Sequence, residues 1–402
     1  MRARLSAHSD FLMVLVLFVS FRLMILLLFT PASFLTRGYT DHIYYFDMAA
    51  LSDQSHFPFI DYWFEYPPVF TYLAIGIYRL TRMVNEDFAY FSRALALALL
   101  PFEMLVLTNL YRIGRRLYDM AMAVRIAWVY TALVLPMFFW LYSFDTMVAA
   151  LVLQTVYWLL VGRRSASAIV LGIAIATKFT PAFVLSTAWR FACNVRQAVG
   201  YTVAVVIVAG LIFLPFLIAS PTFTIASLQS LMSVSSWETI WALIDGNIGY
   251  GDVGALPRHF DLSLASVPMH NPPVVSPWIA ILVFGVLFLF VYSRPVDRTN
   301  PRHLLVFTGV ILMLFHLWSK GWSPQWVTLV LPFLLLLYPN WRGVLLSLIL
   351  SLASLLDWPL AFAMGSSLIY AIGVLTRASL FVLIGVDLYL ELMRRQTDPA
   401  NA

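Results

Sequence analysis

Apolar runs about as long as a bilayer is thick recur along almost the whole chain, and they constrain its fold more than any other feature. A helix needs roughly 20 apolar residues, at ~1.5 Å per residue, to cross a hydrocarbon core of ~30 Å. Candidate spans lie near 11–30, 89–111, 121–142, 146–162, 197–218, 274–292, 303–318, 325–339, 343–356 and 368–393. The sequence therefore predicts an all-α polytopic membrane protein, with residues 1–402 forming a single transmembrane domain.

The composition agrees with a membrane protein and excludes other classes. Hydrophobic residues make up 61% of the chain and charged residues 11%, whereas soluble domains carry roughly 25% charged residues. A soluble enzyme, a disordered protein and a nucleic-acid-binding protein are therefore excluded as leading interpretations. The single cysteine, Cys193, also excludes a disulfide framework and a cysteine-based metal site.

The arginines predict the orientation of the chain. Two of the 25 basic residues are lysines, Lys178 and Lys320, and the others are arginines. The positive-inside rule places most arginines in the cytoplasm. Sixteen of them then fall on that side: Arg2, Arg4, Arg112, Arg115, Arg116, Arg125, Arg163, Arg164, Arg190, Arg196, Arg294, Arg298, Arg302, Arg342, Arg394 and Arg395. Both termini are expected to face the cytoplasm.

This orientation fixes the segments that are too short or too polar to be ordinary spans. The apolar segment 165–195 has arginines of the same side at both ends, so it is expected to enter the membrane and return near residues 178–181. The segment 66–84 is expected to be an interfacial helix of the outer leaflet. The prediction is then a bundle of roughly 11–12 transmembrane segments with two long outer loops, 31–88 and 220–273.

The first outer loop combines acids with aromatic residues. Asp41 follows Tyr39-Thr40 and precedes His42, while Asp61, Glu65 and Tyr66 belong to a second aromatic stretch. A carboxylate near a low-dielectric boundary is able to accept a proton at neutral pH. The alternative is that these acids are solvated charges of an outer surface, and for Asp41 the two interpretations have similar weight.

Two further acids lie near or inside spans. Asp145 joins two spans with almost no loop between them. We weigh two compatible roles for it: capping a helix that starts at Thr146, and positioning a substrate. Glu103 lies inside a span, and we favour a buried ion pair with Arg22 or Arg93 over a functional role.

The two lysines are expected at outward turns, against the trend of the arginines. Each is followed within four residues by a proline. A lysine at a helix break is suited to bind a phosphate, and we favour this role over snorkelling to the interface. His316 lies close to Lys320 and is expected either to donate to the same anion or to be packed. Gln325 follows Lys320 on the same turn.

Several of these stretches resemble membrane glycosyltransferases of the GT-C fold. More narrowly, they resemble mannosyltransferases that use polyprenyl- or dolichyl-phosphate mannose. The similar stretches are Tyr39-Thr40-Asp41, Phe57-Pro58 to Tyr66-Pro67-Pro68, Asp145-Thr146 to Tyr157, Lys178-Phe179-Thr180-Pro181, and Ser323-Pro324-Gln325-Trp326 followed by Leu331-Pro332. They spread over roughly residues 10–340.

The resemblance implies an inverting transfer of a sugar, expected to be mannose, from a polyprenyl-phosphate donor on the outer face of the membrane. Asp41 matches the general base of the family. Lys178 and Lys320, assisted by Arg22 or Arg258, fit the leaving phosphate. One branch of the family has Asp-x-Asp here, but Ile43 replaces its second Asp in this chain. No cofactor is expected. A divalent metal is an alternative that no residue pattern supports.

The acceptor is a lipid or a glycan, or a protein, and no residue decides between them. The bacterial plasma membrane is the preferred location, and the endoplasmic reticulum stays open. Two alternatives remain: a transporter or flippase of a lipid-linked sugar, and a structural subunit of a membrane complex. A transporter commonly shows an inverted repeat, and we find no internal repeat. A structural subunit would leave Lys178 and Lys320 without a role.

Overall fold

The computed structural model describes residues 8–28 and 40–394 of the chain. The protein is all-α: 78% of it is helical, and the described residues contain no strand. Arg2, Arg4, Arg395 and the first part of the predicted outer loop (31–39, including Tyr39) lie outside the described residues.

Most helices follow one another with short connections, whereas longer segments join α2 to α3 and α12 to α13. The first nine are α1 (Ser9–Leu28), α2 (Asp41–Ala50), α3 (Pro68–Arg82), α4 (Phe88–Leu117), α5 (Met120–Ala132), α6 (Val134–Trp140), α7 (Asp145–Leu160), α8 (Arg164–Ile175) and α9 (Val184–Arg190). The others are α10 (Val195–Ala219), α11 (Pro221–Ser233), α12 (Ile240–Asp245), α13 (Pro277–Ser293), α14 (Pro301–Trp318), α15 (Val327–Leu337), α16 (Trp341–Leu355), α17 (Phe362–Met364) and α18 (Ser367–Arg394).

The lengths of the helices make this an integral, multi-pass membrane protein. Six helical stretches in the described part of the chain are long and apolar enough to cross a bilayer. The pair α5 and α6 passes the same test together but bends by 60° at Leu133, where one span over 121–142 was expected. Four shorter apolar helices, α7, α8, α13 and the stretch Pro324–Leu337, complete the bundle.

Helix α3 has the length and pattern expected of the interfacial segment. It begins at Pro68, directly after Pro67, because proline fits the first turn of a helix, where its missing N–H is not needed. Phe70, Ala74, Ile77 and Tyr78 recur at helical spacing and are buried on one face. This helix packs against α2 and α4, and its position in the interface stays a prediction.

Burial divides the bundle into a centre and a periphery. Every residue of α15 is buried, and so is most of α7. In contrast, α13 buries only Val291, and α10 buries only Ala198, Tyr201 and Val205. Since both peripheral helices are apolar over most of their length, their exposed sides fit a contact with lipid chains better than a contact with water.

The bundle has two distinct ends, which α14 and α15 connect. Helix α14 runs for 18 residues, or about 27 Å at ~1.5 Å per residue. The turn 319–326 then reverses the chain into α15. One end of the bundle therefore carries this turn together with α2, and the other end carries the start of α14 and the end of α15. We call them the turn end and the arginine end, because Arg302 and Arg342 lie at the latter.

Candidate active site

A cleft of about 340 Å³ opens at the turn end. The loop and helix segments that meet there come from several stretches of the chain, between residues 40 and 362. Its walls are formed by Thr40, Asp41, Ile43, Tyr44, Glu65, Tyr66, Tyr142, Glu238, Tyr250, Gly251, Asp252, Val253, Gly254, Ser323, Pro324, Gln325, Trp358 and Phe362. Carboxyl groups and tyrosines dominate this lining, a combination suited to hydrogen bonding and stacking with a sugar.

Asp41 is held at the cleft by the start of α2. Thr40 has an extended backbone, and its hydroxyl accepts the N–H of His42 at 3.2 Å, so it caps the helix. His42 is buried, with Nδ1 2.7 Å from Ser92 Oγ of α4. Burial lowers the pKa of His42 to about 3, so its ring is neutral and anchors α2 without a buried charge.

The carboxylate of Asp41 has two donors within reach. The Tyr45 hydroxyl donates to Oδ2 at 3.3 Å, one helical turn further along α2. The Gln325 amide Nε2 donates to the same oxygen at 3.2 Å, from the turn before α15. These contacts join the two halves of the sequence at one carboxyl group. Together with a hydrogen bond from Tyr142, they orient the Asp41 carboxyl group at the cleft.

The environment of Asp41 prepares it to accept a proton near neutral pH. Burial, with a smaller contribution from the charge of Asp145, raises its pKa to about 7. Hydrogen bonds from Tyr142 and Tyr45 and the charge of Lys178 act in the opposite direction. A general base works best when its pKa lies near the working pH, and Asp41 meets this condition.

Glu65 is a second carboxyl group of the cleft. The Tyr44 hydroxyl donates to its Oε2 at 2.9 Å. Burial, with smaller contributions from the charges of Asp41 and Asp252, raises the pKa of Glu65 to about 7. Like charges in one cleft disfavour each other's ionised form, so Glu65 is able to donate a hydrogen bond below neutral pH.

Lys178 and Asp145 form an ion pair close to Asp41. Lys178 Nζ lies 2.6 Å from Asp145 Oδ1, and Ser143 Oγ donates to the other carboxylate oxygen at 3.2 Å. The ammonium group also lies 5.4 Å from the Phe144 ring centre and 4.9 Å from the Trp326 ring centre. Aromatic faces stabilise a cation, so Lys178 is a fixed positive charge beside the proposed base.

The structure corrects the expected capping role of Asp145. Helix α7 begins at Asp145 itself, and the preceding residue, Phe144, makes no side-chain cap. The carboxylate turns towards Lys178 because a full positive charge is a stronger partner than a backbone N–H. The expected pairing of Glu103 is confirmed: Arg22 Nε donates to its Oε2 at 2.9 Å, and both side chains are buried.

Glu238 is a cleft residue that the sequence analysis did not single out. It is buried, its φ is +48°, and its Oε2 has no hydrogen-bond partner among the described residues. Arg377 donates to the backbone carbonyl of Glu238, and the backbone N–H of Glu238 donates to the Tyr370 hydroxyl at 2.7 Å. Burial raises the pKa of Glu238 well above its usual range. The strained, clamped backbone is the kind of feature found at functional sites.

Trp237 locks the segment of Glu238 onto the turn that carries Gln325. Its backbone N–H donates to the Lys320 carbonyl at 3.1 Å, and its indole Nε1 donates to Ser323 Oγ at 3.1 Å. The indole packs directly on Gly321, where any Cβ would overlap the ring. In the sequence, the only sign of this contact is Gly321 itself, between Lys320 and Trp322. Trp237, the residue it contacts, lies more than eighty positions away.

The predicted site residues thus fall into three groups. Asp41, Glu65, Tyr66 and Gln325 line the cleft, and the Asp145–Lys178 pair lies beside it. The other three lie elsewhere. Asp61 accepts the backbone N–H of Phe57 at 2.7 Å; His316 packs against Trp322 and Phe381; and Lys320 Nζ donates to the Met232 carbonyl at 2.7 Å. Their predicted roles in substrate binding stay predictions.

The contact of Lys320 gives a physical reason for an outward lysine. Met232 is the second-last residue of α11, and its carbonyl belongs to the last turn of that helix. A cation there satisfies a carbonyl without an intrahelical partner and interacts favourably with the helix dipole. As for a metal, no three His, Cys, Asp or Glu side chains of residues 8–28 and 40–394 form a ligating group.

Comparisons with known proteins give no family. No family model matches the chain, and no curated protein matches its sequence. Among solved structures, the chain is similar to the Archaeoglobus fulgidus oligosaccharyltransferase in its apo form, with 14% identity, a TM-score of 0.47, and coverage of 95% of this chain and 55% of that chain. It is also similar to the archaeal oligosaccharyltransferase AglB of the same organism in complex with an inhibitory peptide and a dolichol-phosphate, with 13% identity, a TM-score of 0.40, and coverage of 98% and 52%. The chain spans about half the length of these proteins.

Proposed function

We propose that this protein is an inverting membrane glycosyltransferase of the GT-C type that takes its sugar from a polyprenyl-phosphate donor. The observation that carries the proposal is Asp41: a cleft carboxylate with a pKa of about 7, oriented by Tyr45 and Gln325 and placed near the Lys178 cation. A base at the cleft and a positive charge close beside it are the two groups that such a transfer needs.

In the proposed step, Asp41 accepts the proton of an acceptor hydroxyl as that oxygen attacks the anomeric carbon of the donor sugar. The new carbon–oxygen bond forms on the face opposite the leaving group, so the configuration at the anomeric carbon inverts. The bond between the anomeric carbon and the phosphate oxygen breaks, and the electron pair leaves with polyprenyl phosphate. The proton on Asp41 then returns to solvent. The protein mainly positions the two substrates and compensates developing charge.

Lys178 is the proposed partner of the leaving phosphate. Its exposed fraction is 14%, so the ammonium group is accessible while it is held by Asp145 and two aromatic rings. When the bond to the sugar breaks, the phosphate gains negative charge, and a fixed cation stabilises that change without reorganisation. Asp145 then serves to position Lys178, in agreement with the substrate-positioning role proposed for it.

The remaining cleft groups are proposed to bind sugar hydroxyls. Glu65 and Glu238 offer carboxyl oxygens, and the raised pKa of each lets it donate as well as accept. Tyr66 offers an aromatic face on the same wall. Mannose is proposed as the sugar, on the resemblance of the sequence motifs alone. We further propose that the acceptor is a lipid or a glycan, and that the transfer takes place on the outer face of a bacterial plasma membrane.

The test is transfer by the purified protein. We would incubate it in detergent with a radiolabelled polyprenyl-phosphate sugar and a cellular lipid extract, and follow label that moves to a new product. We expect wild-type protein to form the product and Asp41→Asn to form none while it stays folded. Glu86→Gln is the matched control, because Glu86 is an exposed acid (73%) that only pairs with Arg82. Its activity should equal that of wild type.

Two results would contradict the proposal. Transfer by Asp41→Asn at the wild-type rate would remove Asp41 as the base. Label that crosses the membrane of a proteoliposome but stays on its polyprenyl carrier would instead support the transporter or flippase. The two activities are separable because only the enzyme breaks the bond between sugar and phosphate.

A further inference from the structure

A second polar cavity lies at the arginine end of the bundle. Its volume is about 600 Å³, which exceeds that of the cleft. The end of α4, the start of α14, the end of α15, the start of α16 and the end of α18 meet there. Its lining consists of Leu117, Tyr118, Asn300, Pro301, Arg302, Leu337, Tyr338, Pro339, Asn340, Arg342, Asp387, Glu391 and Arg394. The length of α14, about 27 Å, separates this cavity from the cleft.

Arg302 forms the rigid wall of the cavity. Its Nε and Nη2 donate to the two carboxylate oxygens of Glu391, each at 2.9 Å, and Nη2 also donates to the Leu337 carbonyl at 2.7 Å. Only 15% of its side chain is exposed. This bidentate pair fixes α14 to α18 and sets the shape of the cavity, and the charge of Glu391 is compensated within it.

Arg342 is the accessible cation of the cavity. About half of its side chain (48%) is exposed, and its Nη2 lies 3.3 Å from Asp387 Oδ2. Asp387 has a second partner, since the Tyr338 hydroxyl donates to the same oxygen at 2.7 Å. An exposed pair of this kind contributes little stability. Arg342 can therefore turn to an incoming anion while Asp387 keeps a hydrogen bond.

Two helix starts place positive dipole ends beside Arg302 and Arg342, while the ends of α4, α15 and α18 place negative dipole ends at the same cavity. Asn300 caps α14 by accepting the N–H of Arg302, and Asn340 caps α16 by accepting the N–H of Arg342, each at 2.9 Å. The positive ends of two helix dipoles are therefore turned to the same cavity. With Arg394, the lining carries three guanidinium groups and two carboxylates, so its net charge is +1.

We propose that this cavity binds the phosphate headgroup of an anionic phospholipid. Arg342 and the first turn of α16 hold the phosphate, and the acyl chains leave past Trp341, which precedes Arg342 in the chain and is 72% exposed. Tryptophan is typical of the headgroup region of a bilayer. Basic pockets between helix ends on the cytoplasmic side are suited to such headgroups, and the distribution of arginines predicts that side here.

The test compares lipids of different charge. The full protein is placed in nanodiscs that contain either phosphatidylcholine alone or phosphatidylcholine with phosphatidylglycerol, and its Tm is measured for each variant. We expect phosphatidylglycerol to raise the Tm of wild type. Arg342→Gln should lose this rise, because it removes the accessible donor. Titration with short-chain phosphatidylglycerol in detergent should show binding weakened about tenfold, as expected for one charged hydrogen bond.

Arg298→Gln is the matched control. Arg298 is an exposed arginine expected on the same side of the membrane and is not part of the cavity. Its variant should keep the full response to phosphatidylglycerol. Arg394→Gln gives a second test if Arg342→Gln does not fold. An equal loss in Arg298→Gln, or no lipid response in wild type, would overturn the proposal.

Inorganic phosphate distinguishes the possible sources of the anion. If phosphate alone in detergent stabilises the wild type as much as phosphatidylglycerol does, the cavity binds a free anion and the lipid assignment is wrong. If phosphate alone has no comparable effect, the lipid assignment is supported. Neither result depends on the proposed glycosyl transfer, because Tm and binding are measured without a sugar donor.

Discussion

The pH dependence of sugar transfer should report the ionisation of Asp41. A general base must be deprotonated to act, and burial raises the pKa of Asp41 to about 7. It is then ionised in about 90% of molecules at pH 8 and in about 1% at pH 5. We therefore expect kcat/KM to fall roughly a hundredfold between these pH values. A carboxylate with an ordinary pKa of about 3.8 would lose less than about 10% over the same range.

Two substitutions should move this pH profile in opposite directions. The charge of Asp145 raises the pKa of Asp41, and the charge of Lys178 lowers it. Asp145→Asn should therefore shift the acidic limb to lower pH, and Lys178→Met should shift it to higher pH. Their absolute rates will also fall, because both residues are proposed to serve the leaving phosphate, but the position of the limb does not depend on the rate.

The assay is the initial rate of labelled product formation at low donor concentration, measured from pH 5 to pH 9 for each variant. Glu65 is the necessary control, since burial raises its pKa to about 7 as well. Glu65→Gln should keep an acidic limb close to that of wild type. A limb that disappears in Glu65→Gln, or that moves in the same direction in Asp145→Asn and Lys178→Met, would refute the assignment of Asp41.

Three further predictions concern stability. The pKa of Asp41 is raised from 3.8 to about 7 in the folded protein, so its ionisation above pH 3.8 lowers the free energy of unfolding. Asp41→Asn removes this cost. The stabilisation it gives, measured by chemical unfolding in detergent, should be larger at pH 8 than at pH 5 by at most about 2–3 kcal/mol. Gly321→Ala should destabilise by about 1–3 kcal/mol because its Cβ would overlap an indole ring, whereas Gly249→Ala, with no atom within 4 Å of its Cβ, should leave Tm unchanged. Arg22→Met should cost about 3–5 kcal/mol by leaving the buried Glu103 unpaired; recovery of Tm on adding Glu103→Gln would confirm this cause, and a mild effect of the single substitution would contradict it.

Much of the helical framework follows from periodicity and helix-end signals in the sequence. Asp87, Asp119, Asn194 and Asn340 each cap a helix whose start the following apolar run indicates. The bend at Leu133 was missed because the run 121–142 is apolar on both sides of it. A break inside a uniformly apolar stretch leaves no signal in hydropathy, since both halves remain equally suited to lipid.

The cleft was predicted only in part, for a related reason. Asp41 stood out because an acid beside aromatic residues after a span is unusual in its own local sequence. Glu238 did not stand out, because its importance comes from Arg377 and Tyr370, which are more than 130 residues away. Lys320 was expected at a phosphate, but its amine donates to the last turn of α11. A lysine before a helix break has the same local sequence whether its amine binds a phosphate or a helix carbonyl.

The sequence by itself determined that this protein lies in a lipid bilayer and that its fold is a helical bundle. Hydropathy and charge placement are summed along the chain, so a membrane bundle with one arginine-rich side follows without any contact being known. Only the tertiary structure decided which polar groups meet. It joined Asp41 to Gln325, gave Lys178 and Lys320 different partners, and brought Arg302, Arg342 and Arg394 to one cavity. Such meetings depend on helix packing between distant segments, and a one-dimensional pattern does not carry the distances that decide whether two charges interact.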